Sequence, residues 1–155
     1  MNNNLKNVVF LNKANINSYR SFLNQLPSKP FSNDIIDYLI ALSKELNNDT
    51  RTKEYPEIAT FSFYCRKANL LKLKNDFYGG KQIKLGKGIA FHIAPSNVPI
   101  NFAFSMIMGL LSGNSNIIKV PSTNFEQVNI IIKAINTLAK NSNHSAVSKK
   151  IILVK

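Results

Sequence analysis

Two polar clusters in the sequence carry side chains suited to binding a phosphorylated or carbonyl ligand. One is Pro95, Ser96 and Asn97, and the other is Lys119 with Ser122. The first cluster offers an amide side chain and the backbone N–H groups of a following helix, and the second offers an ammonium group and a hydroxyl. Groups of these kinds bind anions and stabilise developing negative charge. The two clusters therefore predict a ligand site, provided that the fold brings them together.

The elements around these clusters are predicted to be strand, helix and strand. The apolar run 89–94 is typical of a central parallel strand that is covered by helices on both faces. Ser96 or Asn97 is expected to cap the next helix, with Pro99 in its first turn and Gly113 after its end. Residues 116–120 form a second buried strand. Because ligands bind beyond the carboxyl ends of parallel strands, both clusters are expected at one rim of the sheet.

Patterns elsewhere in the chain predict further helices and strands. Residues 8–11 have a strand-like pattern, and helices are expected at 18–26, ended by Pro27, after Ser32 or Asn33, and at 54–77. A capping box formed by Thr123 and Glu126 is expected to begin a later helix. Residues 151–154 form a third buried strand.

These elements predict an α/β fold, in which an N-terminal helical region is followed by half of a doubly wound parallel, Rossmann-like sheet. Tyr78, Gly79 and Gly80 form a turn, which divides the chain into a helical region at 1–78 and a nucleotide-binding βαβαβ domain at 79–155.

Composition limits the classes of protein to which this chain can belong. The 155 residues have a net charge of +12 and contain one Cys, which excludes an internal disulfide and a Cys-rich zinc site. No run of about 20 uncharged apolar residues is present, so no membrane span is expected, and a cytoplasmic location is the simplest prediction. The basic charge leaves nucleic-acid binding as an alternative, but the lysines are scattered and no nucleic-acid-binding motif accompanies them.

The segment GKGIAFHIAPSNVPINFAFSMIMGLLSGNSNIIKVPS, residues 86–122, resembles the aldehyde dehydrogenase superfamily. Within it, the Pro-Ser-Asn-Val-Pro turn at 95–99 and the Lys-Val-Pro-Ser ending at 119–122 are similar to the acyl-CoA reductases, which include the long-chain fatty-acid reductase of bacterial luminescence. The resemblance implies NADPH-dependent reduction of a fatty acyl-CoA, or a related acyl thioester, to an aldehyde through a Cys thioester. NADP is the cofactor that it implies, with NAD as the alternative.

The resemblance also implies roles for individual residues. Asn97 matches an amide that stabilises the oxyanion, and its alternative role is a plain helix cap. Lys119 matches a residue that contacts the cofactor ribose, with Ser122 assisting, and its alternative is a solvated strand-end lysine. The other residues expected to line the cofactor cleft are Ile93, Ala94, Pro95 and Ser96.

The remaining reactive side chains are interpreted as structural. Cys65 is expected on the apolar face of a helix, and the nucleophile of the resembled family lies farther along its chains. His92 is expected to be a hydrogen-bonded core residue and His144 a solvated one, so no metal site is predicted. Four residues with an acyl-pocket alternative are expected to pack in the core: Phe102, Phe104, Met106 and Met108.

The 155 residues are therefore expected to be a truncated family member that lacks the catalytic domain and is inactive alone. The alternative is a non-catalytic remnant or interaction module. Such a module would pair with a second chain that carries the catalytic domain, or form a homo-oligomer, and an exposed apolar sheet edge near 151–154 would be its signature.

Overall fold

The computed structural model describes residues 8–12, 16–78 and 83–155. Helices precede the sheet and then alternate with its strands, so the predicted α/β class is confirmed. In chain order the elements are α1 (Ile16–Phe22), α2 (Asn33–Asn48), α3 (Pro56–Tyr64), α4 (Lys67–Phe77), β1 (Ile89–Ile93), α5 (Asn101–Leu111), β2 (Ser115–Lys119), α6 (Glu126–Leu138), α7 (Ser145–Ser148) and β3 (Ile151–Val154).

The three strands form a parallel sheet in the order β1-β2-β3. His92 of β1 pairs with Ile118 of β2, and Ile118 pairs with Leu153 of β3, so these three side chains lie on the same face of the sheet. Ile118 and Leu153 are fully buried in the same core cluster as the apolar residues of α5 and α6. Both connecting helices therefore cover one face of the sheet, as expected when successive right-handed crossovers proceed in one direction.

β1 lies at an edge of this sheet, whereas the sequence predicted a central strand covered on both faces. Ile89, Phe91 and Ile93 point away from the helices, and Phe91 and Ile93 are 62% and 71% exposed. In the part of the chain that the structure describes, β1 pairs with β2 alone. Among the described residues β1 therefore has one open face, because an apolar run shows that both faces are apolar, not that both are covered.

The other edge of the sheet, along β3, is covered. Val9 and Leu11 form backbone hydrogen bonds of 2.9 to 3.1 Å with residues at the end of β3, and Phe10 bridges Val154 in the antiparallel sense. The strand-like segment predicted at 8–11 is therefore confirmed. The exposed apolar edge near 151–154 that would mark an interaction module is not seen, because residues 151–153 are buried.

The single long helix predicted for 54–77 is also wrong. This stretch contains the end of a 3-10 turn, Thr50–Glu54, and then the separate helices α3 and α4. Pro56 begins α3, as its fixed φ and missing N–H favour. Arg66 then takes an extended conformation, with ψ of 146°, and this ends the first helix before the second begins.

The break between α3 and α4 changes which residues reach the core. The side-chain amide of Asn69 donates to the Tyr64 carbonyl at 2.7 Å, which satisfies an acceptor that the interrupted helix leaves open. Leu70 is fully buried, whereas Leu71 is exposed. The break therefore determines which face of α4 packs against the core.

The helices nearer the N-terminus lie close to their predicted positions. α2 begins directly after Ser32, although the Ser32 hydroxyl makes no capping hydrogen bond. α1 ends at Phe22, several residues before Pro27, which was predicted to end it. The turn predicted at Gly79 and Gly80 lies outside the described residues.

The capping box predicted at the start of α6 is wrong. α6 begins at Glu126 with Phe125 at the cap position and no side-chain cap. The Glu126 carboxylate instead accepts a hydrogen bond from Arg51, which also pairs with Asp49 at 2.7 Å. The guanidinium thus ties the turn before α3 to the start of α6, and this tertiary ion pair replaces the local cap.

Candidate functional site

The carboxyl ends of β1 and β2 meet at one rim of the sheet. The Ala94 N–H donates to the Lys119 carbonyl at 3.1 Å, and the Val120 N–H donates to the Val154 carbonyl at 3.0 Å, so strand pairing continues to this rim. Each polar cluster starts where its strand ends, next to the other. The two clusters therefore begin at neighbouring points of one rim, as the sequence predicted.

Asn97 is exposed in a turn between β1 and α5, and it does not cap the helix. α5 begins at Asn101, and the carbonyl of Ile100 accepts from the N–H groups three and four residues later at 3.0 and 3.4 Å. The expectation that Ser96 or Asn97 caps α5, with Pro99 in its first turn, is therefore wrong. Ile100 is buried, which anchors the helix start there and places Asn97 too far upstream to cap it.

The loss of the capping role leaves the Asn97 amide available to a ligand. Among the residues that the structure describes, none forms a hydrogen bond with the Asn97 side chain. An exposed amide beside a strand end can donate to an anionic oxygen without first breaking an internal bond.

Lys119 and Ser122 form the polar part of the second cluster. The Lys119 ammonium donates to the Ser122 hydroxyl at 3.3 Å, and both groups are accessible to solvent at the rim. Lys119 pairs in register with Ile93, so its side chain lies on the same side of the sheet as Ile93. That side is the one away from α5 and α6.

The other residues predicted to line a cofactor cleft surround the end of β1. Ile93 is exposed on the open side of the sheet, and Ala94 is buried at the rim. Pro95 and Ser96 are exposed in the turn that leads to Asn97. All four adjoin the rim, and their cofactor contacts stay a prediction.

A buried polar pair fastens β1 to β2 behind this rim. Asn116 is fully buried, and its Oδ1 lies 2.9 Å from Nε2 of His92, while its Nδ2 donates to the Asn114 carbonyl at 3.1 Å. Gly109 of α5 makes room for this amide, because a Cβ at Gly109 would lie 1.8 Å from Asn116 Oδ1. The hydrogen-bonded role predicted for His92 is confirmed.

Asn114 and Asn116 have supporting roles that were not predicted from the sequence. The Asn114 side chain accepts from the N–H groups of Lys87 and Gly88 at 2.7 and 3.2 Å, and so ties the entrance of β1 to the turn after α5. Gly113 allows that turn, with φ of +84°. A buried-strand pattern that contains an Asn is the signal that could have identified Asn116, since a buried amide needs partners.

Cys65 has the environment of a structural thiol. It is fully buried at the end of α3, and burial raises its pKa to about 12. The thiol is therefore protonated near neutral pH and unable to act as a nucleophile. His144 packs edge-on against Tyr38, with ring centroids 5.9 Å apart, and is half-buried rather than solvated as predicted.

No group of three or more His, Cys, Asp or Glu side chains that could hold a metal ion occurs among the described residues. Phe102 and Met106 are fully buried, which confirms the core-packing interpretation for these two. Phe104 is partly buried against the rings of Phe61 and Tyr64. Met108 is 49% exposed, so the core-packing prediction is wrong for this residue.

A family model described as acyl-CoA reductase (LuxC) matches residues 66–154, which is more than half of the chain. The chain belongs to the acyl-CoA reductase (LuxC) family. The match begins at Arg66, where α3 gives way to α4, and it includes the whole sheet with both rim clusters. Searches of the curated proteins and of the solved structures gave no match.

No helix in the described part of this family member is long and apolar enough to cross a membrane.

Proposed function

We propose that this chain supplies part of the active site of an NADPH-dependent reductase that converts a fatty acyl-CoA, or a related acyl thioester, to an aldehyde. One observation carries the proposal: the clusters of Asn97 and Lys119 start from adjacent strand ends in a chain of the acyl-CoA reductase (LuxC) family. In this role Asn97 donates to the carbonyl oxygen of the substrate, and Lys119 with Ser122 holds the cofactor.

The proposed reaction begins when a Cys thiolate attacks the acyl carbonyl and negative charge develops on its oxygen. The C–S bond to coenzyme A then breaks, which leaves the acyl group as a thioester on the enzyme. The Asn97 amide lowers the barrier by about 3 kcal/mol when the bound substrate holds it pointing at the developing oxyanion. Because Cys65 is buried and is the one Cys of these 155 residues, the thiolate comes from another polypeptide segment.

The side chains at the rim fit the polar part of a nicotinamide cofactor. The Lys119 ammonium and the Ser122 hydroxyl lie 3.3 Å apart, so together they can serve a ribose hydroxyl or a phosphate oxygen. The cofactor supplies a hydride when bound. The net charge of +12 further favours a polyanionic ligand.

The proposal is tested by titrating the purified 155-residue chain with NADPH and with NADH and following the cofactor's fluorescence. We expect Lys119→Ala to weaken NADPH binding about tenfold, the loss typical of one charge-assisted hydrogen bond. Asn97→Ala should leave the affinity unchanged, because Asn97 serves the acyl carbonyl. Lys140→Ala removes an exposed lysine at the end of α6 and is the matched control.

Equal effects of Lys119→Ala and Lys140→Ala would contradict a cofactor contact at Lys119. Absence of NADPH binding would contradict the proposal that the rim of the sheet binds the cofactor. The chain should also form no aldehyde from acyl-CoA and NADPH. Aldehyde formation would show that the nucleophile lies within these residues and would overturn its assignment to another segment.

A further inference from the structure

Two side chains from different helices meet at the surface where α3 packs against α5. The Tyr64 hydroxyl donates to the sulfur of Met108 at 3.9 Å. The Phe104 ring lies edge-on to the rings of Phe61 and Tyr64, at centroid distances of 5.2 and 5.7 Å. Phe104 and Met108 are four residues apart on α5, so they occupy the same face of that helix. The ring contacts therefore hold the Tyr64 hydroxyl beside the Met108 sulfur.

The Met108 sulfur is accessible to small oxidants, in contrast to the other sulfur atoms that the structure describes. Met108 is 49% exposed, whereas Met106 and Cys65 are fully buried. Peroxides convert a methionine thioether to a sulfoxide, which is a polar and chiral group. The Cys65 thiol is protonated near neutral pH, because burial raises its pKa to about 12, and a thiol is a much weaker nucleophile than a thiolate. In the described part of the chain, a peroxide therefore reaches the sulfur of Met108 first.

We propose that Met108 is a site of reversible oxidation by peroxides, and that Tyr64 binds the resulting sulfoxide and so latches α3 to α5. A lone pair of the sulfur attacks one peroxide oxygen, and the S–O bond forms as the O–O bond breaks. The other oxygen takes up a proton and leaves as water or an alcohol, so the sulfur loses two electrons and the peroxide gains them. Methionine sulfoxide reductases, with a dithiol as reductant, restore the thioether and release the oxygen as water.

The geometry explains why oxidation strengthens this contact. A thioether sulfur is a weak hydrogen-bond acceptor. A sulfoxide oxygen on the side that faces Tyr64 lies one covalent bond closer to the hydroxyl, and an O–H···O hydrogen bond has a length of about 2.7 Å. The 3.9 Å between hydroxyl and sulfur therefore accommodates one S–O bond and one hydrogen bond with a bend at the sulfoxide oxygen. Partial burial raises the pKa of Tyr64, so its hydroxyl stays protonated and can donate.

The latch joins two different parts of the chain. Met108 lies within residues 66–154, which match the acyl-CoA reductase (LuxC) family, whereas Tyr64 precedes them. Its formation would fasten a flanking helix to the helix that leads away from the rim of the sheet. The latch depends on the contact between α3 and α5 and not on the proposed reaction.

Urea unfolding of the purified 155-residue chain before and after treatment with hydrogen peroxide tests the latch, with peptide mass spectrometry to locate the added oxygen. We expect the native protein to be oxidised at Met108 about tenfold faster than at Met106. Oxidation should lower the equilibrium constant for unfolding of the wild type about fivefold, the effect of one hydrogen bond. Tyr64→Phe is the matched control, because it keeps the ring and lacks the hydroxyl, and its unfolding constant should not fall on oxidation.

Equal effects of oxidation on the wild type and on Tyr64→Phe would overturn the latch, as would oxidation of Met106 as fast as Met108. Treatment with a methionine sulfoxide reductase and dithiothreitol should restore the original unfolding curve, and a curve that stays shifted would contradict reversibility. Met108→Leu provides a second comparison if Tyr64→Phe does not fold by circular dichroism. Peroxide should leave the unfolding curve of Met108→Leu unchanged, and a shift equal to that of the wild type would contradict the assignment to Met108. Met1 is present in every variant, so its oxidation cancels in these comparisons.

Discussion

Replacing Gly109 by Ala tests the packing that fastens β1 to β2 behind the candidate site. The added Cβ would lie 1.8 Å from Oδ1 and 2.8 Å from Cγ of Asn116. Neither atom is at the end of a mobile surface side chain, because Asn116 is fully buried and bonded to His92 and to the Asn114 carbonyl. The methyl group must therefore displace the amide or push α5 away from the sheet.

The expected change in the free energy of unfolding is the sum of two destabilising contributions and one stabilising contribution. A methyl group forced into a packed core costs about 1–3 kcal/mol. Displacing the Asn116 amide from its partners costs about 1–3 kcal/mol more, because a buried polar group loses its hydrogen bonds. Replacing Gly by Ala inside a helix offsets about 1 kcal/mol of this loss. We expect Gly109→Ala to lower the free energy of unfolding by about 3 kcal/mol.

The measurement is urea unfolding followed by circular dichroism, in a double-mutant cycle with Asn116→Ala. Once Asn116 is Ala, the atoms that clash with the new methyl are gone, so Gly109→Ala should be neutral or should stabilise the protein by up to about 1 kcal/mol. A loss from Gly109→Ala that is equal in the two backgrounds would refute the reasoning. It would show that the glycine is needed for a reason other than the Asn116 amide.

Three further predictions concern other parts of the chain. Native protein should not react with a thiol reagent at pH 8 and should react once unfolded, because burial raises the pKa of Cys65 to about 12; rapid labelling of the native form would contradict its burial. Arg51 holds the pKa of the Asp49 carboxyl in the folded protein well below its usual range. The pair therefore stabilises the fold fully at pH values above the Asp pKa of the unfolded chain, near 4. This stabilisation is lost as the pH falls towards the lower pKa of the folded protein. Arg51→Ala should therefore destabilise the protein at pH 7, with a difference from wild type that shrinks below about pH 4 in acid-unfolding curves; a constant difference would exclude this electrostatic origin. Gly113→Ala should cost about 2 kcal/mol or more in urea unfolding, because φ is +84° and a Cβ would lie 2.2 Å from the Ser28 carbonyl oxygen; an unchanged midpoint would mean that this turn relaxes freely.

Several features of this protein could be predicted because local sequence signals determine them. Apolar runs followed by Pro95 and Pro121 marked the ends of β1 and β2, since proline cannot continue a sheet ladder. Parallel pairing then required both ends to meet at one rim, and the bond from Ala94 to Lys119 lies there. Membership of the acyl-CoA reductase (LuxC) family agrees with the resemblance carried by residues 86–122.

Other features failed prediction because their causes lie far away in the sequence. The sequence around Glu126 predicts a capping box, but the Glu126 carboxylate pairs instead with Arg51, which is 75 residues away in the sequence. The long helix predicted for 54–77 breaks near Arg66, and after the break Leu70 is buried whereas Leu71 is exposed. In the second case, burial of a Leu side chain contributes about 2 kcal/mol, which exceeds the few tenths of a kcal/mol by which local helix propensities differ.

By itself, the sequence determined the α/β class, the order of the strands along the chain and the rim at which the polar clusters meet. These properties follow from periodicity, turn residues and the handedness of the chain. Tertiary structure alone decided that β1 lies at the sheet edge among the described residues, with Phe91 exposed, and that Asn116 is held by His92 beneath Gly109. The physical reason is that periodicity reports which faces of an element are apolar, whereas coverage of a face depends on strand order and on what packs against it.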